Sequence, residues 1–377
     1  AGNVSSFRHK FDLIKVREVN DYHHAKDAYL NIVVGNVYDT KFTKSPLNFI
    51  QSKGGKNYSL NRMYDFDVER GGVVAWKKGS EGTLTTVKRM MKKNNIQFTR
   101  HAFEVKGGLF DQTIMKKGCG HLLIKSSDKH LSDINKYGGY NKASGAYFFF
   151  VEHTVKKKQV RTLEFAPLYL ARELEDRAIL TEFCKRELNL VDPRILVPKI
   201  KINTMFEIDG FKMNISGRTS NSILYKCGEQ LVISQANQLY LKRIGRYLDR
   251  VKTARKELPI TKYDKINAEQ NLVIYDLYIS KLENTVYSAH LSSQIKHFEK
   301  GRTKFESLSL SDQCQVLSNA LNLFKCTSDG ANLALIDAGA KCGRLVIGKN
   351  ITTKSSAFLI NRSVTGLFEQ KVDLLSL

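Results

Sequence analysis

Two imidazoles and a carboxylate sit within five residues in Tyr22-His23-His24-Ala25-Lys26-Asp27-Ala28-Tyr29-Leu30-Asn31. Residues three and four apart are neighbours on a helix, so a helix here sets His24 beside Asp27 at i,i+3 and His23 beside it at i,i+4. The pairing suits metal-assisted hydrolysis, in which a carboxylate holds a hard cation and an imidazole takes a proton from water. A catalytic magnesium ion is rarely held by one carboxylate, so this stretch is half of a centre, and its remaining acidic ligands are expected elsewhere.

The elements that must position this pair follow from the apolar pattern. From Phe7 to Val34 the spacing is mostly helical, with Phe11, Ile14, Val19, Tyr22 and Tyr29 available to one broad face. Gly71 to Trp76 reads as a turn into a short strand, and a helix is expected from Gly82 to Met91 with Thr83 or Thr85 near its cap. Lys92-Lys93-Asn94-Asn95 is a linker-like boundary. Short strands punctuated by glycine follow, at Phe103-Glu104-Val105 and from His121 to Lys125, and suggest a small, loop-rich module.

Beyond Tyr137-Gly138-Gly139-Tyr140, the unbroken aromatic run Ala146 to Val151 predicts a strand buried on both faces. A strand from Val160 to Phe165 and a helix around Leu168 to Leu188 come next. Asp209-Gly210, between Met205 to Ile208 and Phe211 to Ile215, is a hairpin signal. Helices are expected over about 236–256 and 263–300, and strands return near Leu333 to Ile336 and Arg344 to Ile347. The fold class is mixed α+β.

The chain has 60 Lys+Arg against 37 Asp+Glu, a formal charge of +23. That excess points to a polyanion partner, and phosphate backbones are the usual one. With 377 residues and 42% hydrophobic content the chain can bury a sizeable core, in two or three domains. No apolar run approaches the ~18 residues of a membrane span. The start Ala1-Gly2-Asn3-Val4 has neither a signal-peptide apolar region nor an initiator Met, so the chain reads as a piece of something longer. Cysteines at 119, 184, 227, 314, 326 and 342 form no C-x-x-C pair, which predicts packing residues in a reducing compartment.

At this point a family resemblance becomes visible. Val16-Arg17-Glu18-Val19-Asn20, running into the Tyr-His-His stretch, closely resembles the third RuvC segment of the type II CRISPR-associated RNA-guided DNA endonucleases, the Cas-nine family. Lys136-Tyr137-Gly138-Gly139-Tyr140 resembles the start of that family's PAM-interacting domain. Ile360-Asn361-Arg362-Ser363-Val364-Thr365-Gly366-Leu367-Phe368-Glu369, with Val372-Asp373-Leu374, resembles its carboxyl terminus. Trp76 and Phe206 to Gly210 link these matches more weakly.

The resemblance implies the C-terminal portion of such an enzyme: an RNase H-like RuvC segment with helices over 1–100, a small wedge or topoisomerase-like subdomain over 101–135, and a strand-rich PAM-interacting domain over 136–377. It casts His24 as general base and Asp27 as a ligand of Mg2+, with partners upstream. It implies a hydrolase of the bacterial cytoplasm, acting in antiviral defence on double-stranded DNA that carries a PAM. The implied partners are a guide RNA (a crRNA with tracrRNA, or a single guide), the remainder of the nuclease and a phage anti-CRISPR inhibitor. With the upstream RuvC carboxylates and the HNH domain absent, this chain alone is expected to be inactive.

In such enzymes base pairing reads the sequence, while arginines in the major groove read the PAM. A guanidinium matches guanine O6 and N7 with two parallel donors, which lysine cannot do. In the corresponding place stands Ala340-Lys341-Cys342-Gly343-Arg344-Leu345-Val346-Ile347-Gly348-Lys349-Asn350. The family's arginine, any residue, arginine pair is missing, so a relaxed or different PAM is expected. Arg344 is the leading base reader, and Lys341, Lys349 and Lys354 are candidate groove or phosphate contacts. Gly107 to Thr113 resembles the loop that grips the target-strand phosphate, with Asp111 where a lysine is expected, leaving Gln112 and Thr113 to bind. Asn141, Lys142 and Arg218 resemble positions near the PAM duplex.

Two readings compete. A free-standing nucleic-acid-binding module explains the charge without any nuclease. A RuvC-like junction resolvase would need several strand-borne carboxylates, and Asp12, Asp21, Asp39, Asp65 and Asp67 form no convincing frame for them.

Overall fold

A computed structural model describes residues 2–42, 60–93, 96–107, 116, 133–139, 145–219, 222–283, 287–327 and 329–377. The chain divides into two compact units. The first comprises residues 1–97, 230–276 and 304–318, and the second comprises 98–229, 277–303 and 319–377. Helices and antiparallel sheets occur together, as expected of a mixed α+β fold.

In the first unit, α1 spans Gly2–Lys10 and α2 spans Tyr22–Lys41. The mostly helical spacing from Phe7 to Val34 is interrupted, because Asp12 takes a left-handed φ of 53°. The Leu13 N–H bonds back to the Arg8 carbonyl at 2.9 Å, the closure of a Schellman turn, and α1 stops there. Leu30, Val34 and Val37 give α2 a buried stripe at i, i+4, i+7. Asp27 stands one turn before Leu30 on that face, which is why it is half-buried.

The stripe packs in one core with Phe7, Tyr64 and Trp76. Trp76 ends the hairpin of β1 (Val68–Arg70) and β2 (Val73–Trp76) and is 1% exposed; its Nε1 donates to the Tyr64 carbonyl at 2.9 Å. Phe7 meets Trp76 edge-on at 5.7 Å between ring centroids. α3 (Thr83–Lys92) begins where sequence placed it, with Gly82 at the N-cap position.

In the second unit, the short helix α4 (Ile134–Tyr137) precedes a three-stranded sheet in the order β4-β3-β5: β3 (Gly145–Val155), β4 (Lys158–Pro167) and β5 (Val191–Ile200). Residues Ala146 to Val151 of the central strand are 0–2% exposed, as the aromatic run predicted. The expected helix from Leu168 to Leu188 is instead two single 3-10 turns followed by α5 (Arg177–Arg186). Asp176 restarts the helix by accepting from the Ala178 and Ile179 N–H groups at 2.8 and 3.1 Å.

A six-stranded antiparallel sheet has the order β11-β8-β7-β6-β12-β13. Its strands are β6 (Met205–Ile208), β7 (Phe211–Thr219), β8 (Ser222–Cys227), β11 (Leu345–Gly348), β12 (Ala357–Arg362) and β13 (Glu369–Asp373). The β6–β7 turn is the predicted one: Asp209 and Gly210 both have positive φ, 51° and 83°, the signature of a type I′ turn. β9 (Gly330–Asn332) pairs with β10 (Ala340–Cys342).

Three other expectations change. Leu333 to Ile336 is not a strand but leads into a 3-10 turn over Ala334–Ile336, closed by left-handed Asp337. Phe103 makes one isolated bridge to Ile202 rather than opening a strand. The long helix over 263–300 is α7 (Ala268–Glu283) and α8 (Tyr287–Ser307), with a kink at Leu291. The strand expected from His121 to Lys125 lies outside the described residues. α6 (Gln235–Ala254) and α9 (Leu310–Leu321) complete the helices named here. Cys184, Cys227, Cys314 and Cys326 are buried, in keeping with packing roles, and Cys342 is exposed.

Candidate nuclease half-site and nucleic-acid interface

The N-terminal part of α2 holds the candidate residues His23, His24 and Asp27. Asp21 occupies the N-cap position, yet its side chain makes no cap hydrogen bond. Its Oδ2 accepts from Gln230 Nε2 at 2.9 Å, and its N–H donates to Gln230 Oε1 at 2.6 Å. His23 Nδ1 lies 3.0 Å from the Asn20 carbonyl, and a carbonyl can only accept, so this nitrogen carries the proton and Nε2 keeps a lone pair. Burial pushes the His23 pKa down, outweighing the Asn20 hydrogen bond. The His23 and His24 ring centroids are 4.1 Å apart. One donor atom each from Asp21, His23 and His24 lies within 4.8 Å of the others.

Asp27 has a different environment. Arg8 Nη2 donates to its Oδ1 at 2.5 Å, and Lys15 Nζ donates to Oδ2. Arg8 is itself buried, and its Nη1 donates to the Leu13 carbonyl at 3.0 Å. Burial alone would raise the Asp27 pKa, but the hydrogen bonds and charges of Lys15 and Arg8 prevail and hold it below the ordinary aspartate value. Sequence spacing did not single out Arg8 or Lys15, because their approach depends on the turn after α1. Beside them opens a cavity of about 730 Å³ whose lining includes Arg8, His9, Lys15, Arg17, Lys242 and Arg246, with Asp27 among its few carboxylates. Such a surface favours polyanions.

The depressed Asp27 pKa fixes a pH dependence. The unfolded chain binds the proton more readily, so the Asp27 pairing stabilises the fold above the ordinary value of 3.8 and that contribution is lost as pH falls through the lower folded value. Asp27→Asn is therefore expected to lower stability by about 1–3 kcal/mol at neutral pH. In urea melts the gap between variant and parent closes on acidification below the ordinary aspartate range.

In the second unit, Arg344 is exposed and stands immediately before the edge strand β11. Leu345 and Ile347 point into the core, while Val346 is 43% exposed. Strand alternation therefore turns Arg344 and Val346 outward together. Gly343 anchors the approach: a Cβ on it would meet the Leu323 carbonyl oxygen at 1.9 Å, so only glycine lets the two backbones pass this closely.

Three of the other candidates, Lys349, Lys354 and Arg218, have internal partners. Lys349 Nζ bonds Glu164 Oε1 at 2.8 Å, and Glu164 is fully buried. Lys354 Nζ lies 3.7 Å from Asp209 Oδ2. Arg218, in β7, places its guanidinium 4.3 Å from the Phe165 ring centroid, and burial pushes its pKa down. Lys341, half-buried, sits in β10 opposite Ala331. Asp111, Gln112, Thr113, Asn141 and Lys142 lie outside the described residues.

The Lys349–Glu164 pair yields an expected result. Removing one partner of a buried ion pair costs roughly 3–5 kcal/mol, and because Lys349 is 32% exposed the loss belongs near the lower end. Lys349→Met is expected to lower the chain's urea midpoint accordingly, so any loss of DNA binding in that variant has to be read against its stability.

A family model described as the PAM-interacting domain of CRISPR-associated endonuclease Cas9 matches residues 106–370, and a model of the Cas9 RuvC domain matches residues 1–142. The CRISPR-associated endonuclease Cas9 of Streptococcus mutans serotype c is 24% identical over 407 aligned positions, covering 98% of this chain and 28% of that protein. The corresponding protein of Listeria innocua serovar 6a is 31% identical over 175 positions, covering 42% of this chain and 13% of its own length. The match thus spans 28% of the length of the first relative and 13% of the second. Among the described residues, no helix is long and apolar enough to cross a membrane.

Proposed function

Because the chain belongs to the Cas9 family of CRISPR-associated endonucleases, we propose that it is the C-terminal part of an RNA-guided DNA endonuclease, reading the PAM on duplex DNA and supplying part of the RuvC centre that cuts the non-target strand. The observation that carries the reading is Arg344: an exposed guanidinium held ahead of an edge strand by a glycine that admits no side chain. An arginine so placed can present its two parallel donors to the O6 and N7 of one guanine. Lys341 is the best placed of the lysines for a phosphate, since Lys349 and Lys354 face Glu164 and Asp209. The cationic cavity beside Asp27 suits the backbone of a DNA strand or guide RNA.

In the RuvC half-site His24 is the general base that takes a proton from water, and Asp27 is an acidic ligand. When bound, magnesium supplies stabilisation of charge on the attacking and leaving oxygens. The residues present do not by themselves fit such an ion. Hard cations need several oxygen ligands, and the single carboxylate of Asp27 is shared between Arg8 and Lys15. Arg8 and Lys15 instead orient Asp27 and balance its charge until further carboxylates of a complete RuvC fold join it.

Two outcomes follow for the purified chain. It leaves single-stranded DNA intact in magnesium, and robust cleavage would contradict the half-site reading. It binds labelled duplex DNA with an affinity that falls steeply with salt, as phosphate contacts require; binding that is absent or insensitive to salt would contradict the recognition reading.

A further inference from the structure

We propose that Asp21, His23 and His24 form a metal site that shares His24 with the RuvC half-site but does not use Asp27, and that is chemically suited to a zinc-class divalent ion. The donor set is one carboxylate and two imidazoles, which favours Zn2+, Co2+ or Ni2+ over Mg2+. One donor atom from each residue already lies within 4.8 Å of the other two. Small rotations of side chains at a half-open helix start would bring them to one ion, with the remaining positions left to water.

Two independent outer contacts have the form that metal ligands show. The Nδ1 of His23 is committed to the Asn20 carbonyl at 3.0 Å, which leaves Nε2 as the coordinating nitrogen. Asn20 is buried and fixed in turn, its Nδ2 donating to the Leu231 carbonyl at 2.9 Å and its Oδ1 accepting from the Tyr22 N–H at 3.2 Å. On the other side, Gln230 Nε2 donates to Oδ2 of Asp21 at 2.9 Å, an outer contact that fixes the carboxylate. The carboxylate also offsets the positive end of the α2 dipole, which would otherwise oppose a metal there.

The site itself does not depend on the nuclease reading, since its donors belong to this chain alone. Its consequence rests on that reading: an ion held by His24 withdraws the imidazole from base duty, so occupancy of this site and RuvC catalysis exclude one another.

The test is a Co2+ titration of the purified chain, followed by visible absorption and by competition with Zn2+. Asp21→Asn and His23→Ala are each expected to weaken Co2+ binding at least tenfold. Gln230→Ala, which touches no donor, is expected to weaken it about tenfold through the outer contact. Asp27→Asn is expected to leave it within twofold. Co2+ affinity unchanged in Asp21→Asn, His23→Ala and Gln230→Ala overturns the proposal, as does a loss confined to Asp27→Asn, which would move the ion to Asp27.

Discussion

A nuclease assembled with this chain is expected to lose about 10²–10⁴-fold in the rate of non-target-strand cleavage when His24 is replaced by alanine, the range over which positioned general bases act. His24 is exposed at the start of α2, where water and substrate can reach its ring. His23 makes the natural control. Its Nδ1 is held by Asn20 and its ring is half-buried, so His23→Ala is expected to cost less than tenfold in magnesium. Asp27→Asn is expected to match His24→Ala in rate while also lowering stability, because it releases Arg8 and Lys15. Single-turnover cleavage measured beside urea melts separates the two effects. A His23→Ala defect larger than that of His24→Ala would reverse the assignment.

The second large effect belongs to Arg344. A good bidentate arginine–guanine contact contributes about 1–3 kcal/mol of discrimination, so Arg344→Ala is expected to reduce preference at one PAM position by roughly 5–150-fold. Arg344→Lys is not expected to restore it, since a point charge lacks the paired donors. Lys341→Ala is expected to weaken all duplexes alike and to lower the salt slope by about one contact. Val346, turned to the same side as Arg344, presents no hydrogen-bond donor, which agrees with the absence of a second guanine reader in that strand. Equilibrium binding to a panel of duplexes differing at single positions distinguishes a base contact from a phosphate contact.

Local chemistry in the sequence was a reliable guide wherever it acted alone. Asp209-Gly210 has two residues that tolerate positive φ, and the type I′ turn formed there. The aromatic run in β3 had no polar residue to face water, and it became the central strand of its sheet. Where competing signals met, the pattern misled. Leu168 to Leu188 is apolar enough for one helix, yet the Asp176 cap starts a new one. The Leu333 to Ile336 run looks strand-like but closes on left-handed Asp337.

The site shows the same division. Residue spacing put His23, His24 and Asp27 on one helix, as α2 has them, and the family resemblance is the source of the roles proposed for His24 and Asp27. The partners that set Asp27's charge could not, because Arg8 reaches it only after the chain reverses at Asp12. Likewise Lys349 and Lys354 were candidate groove or phosphate contacts in the sequence, which does not show that the fold brings Glu164 and Asp209 to them. Gln230, which holds Asp21, comes from more than two hundred residues away.

The role of Arg344 as a base reader is tested most directly by a PAM-library selection on the reassembled nuclease, run in parallel with Arg344 intact and with Arg344→Ala. Preference is expected to collapse at one position and survive at the others, with overall protein stability unchanged. Preference that survives at every position after the substitution would contradict it.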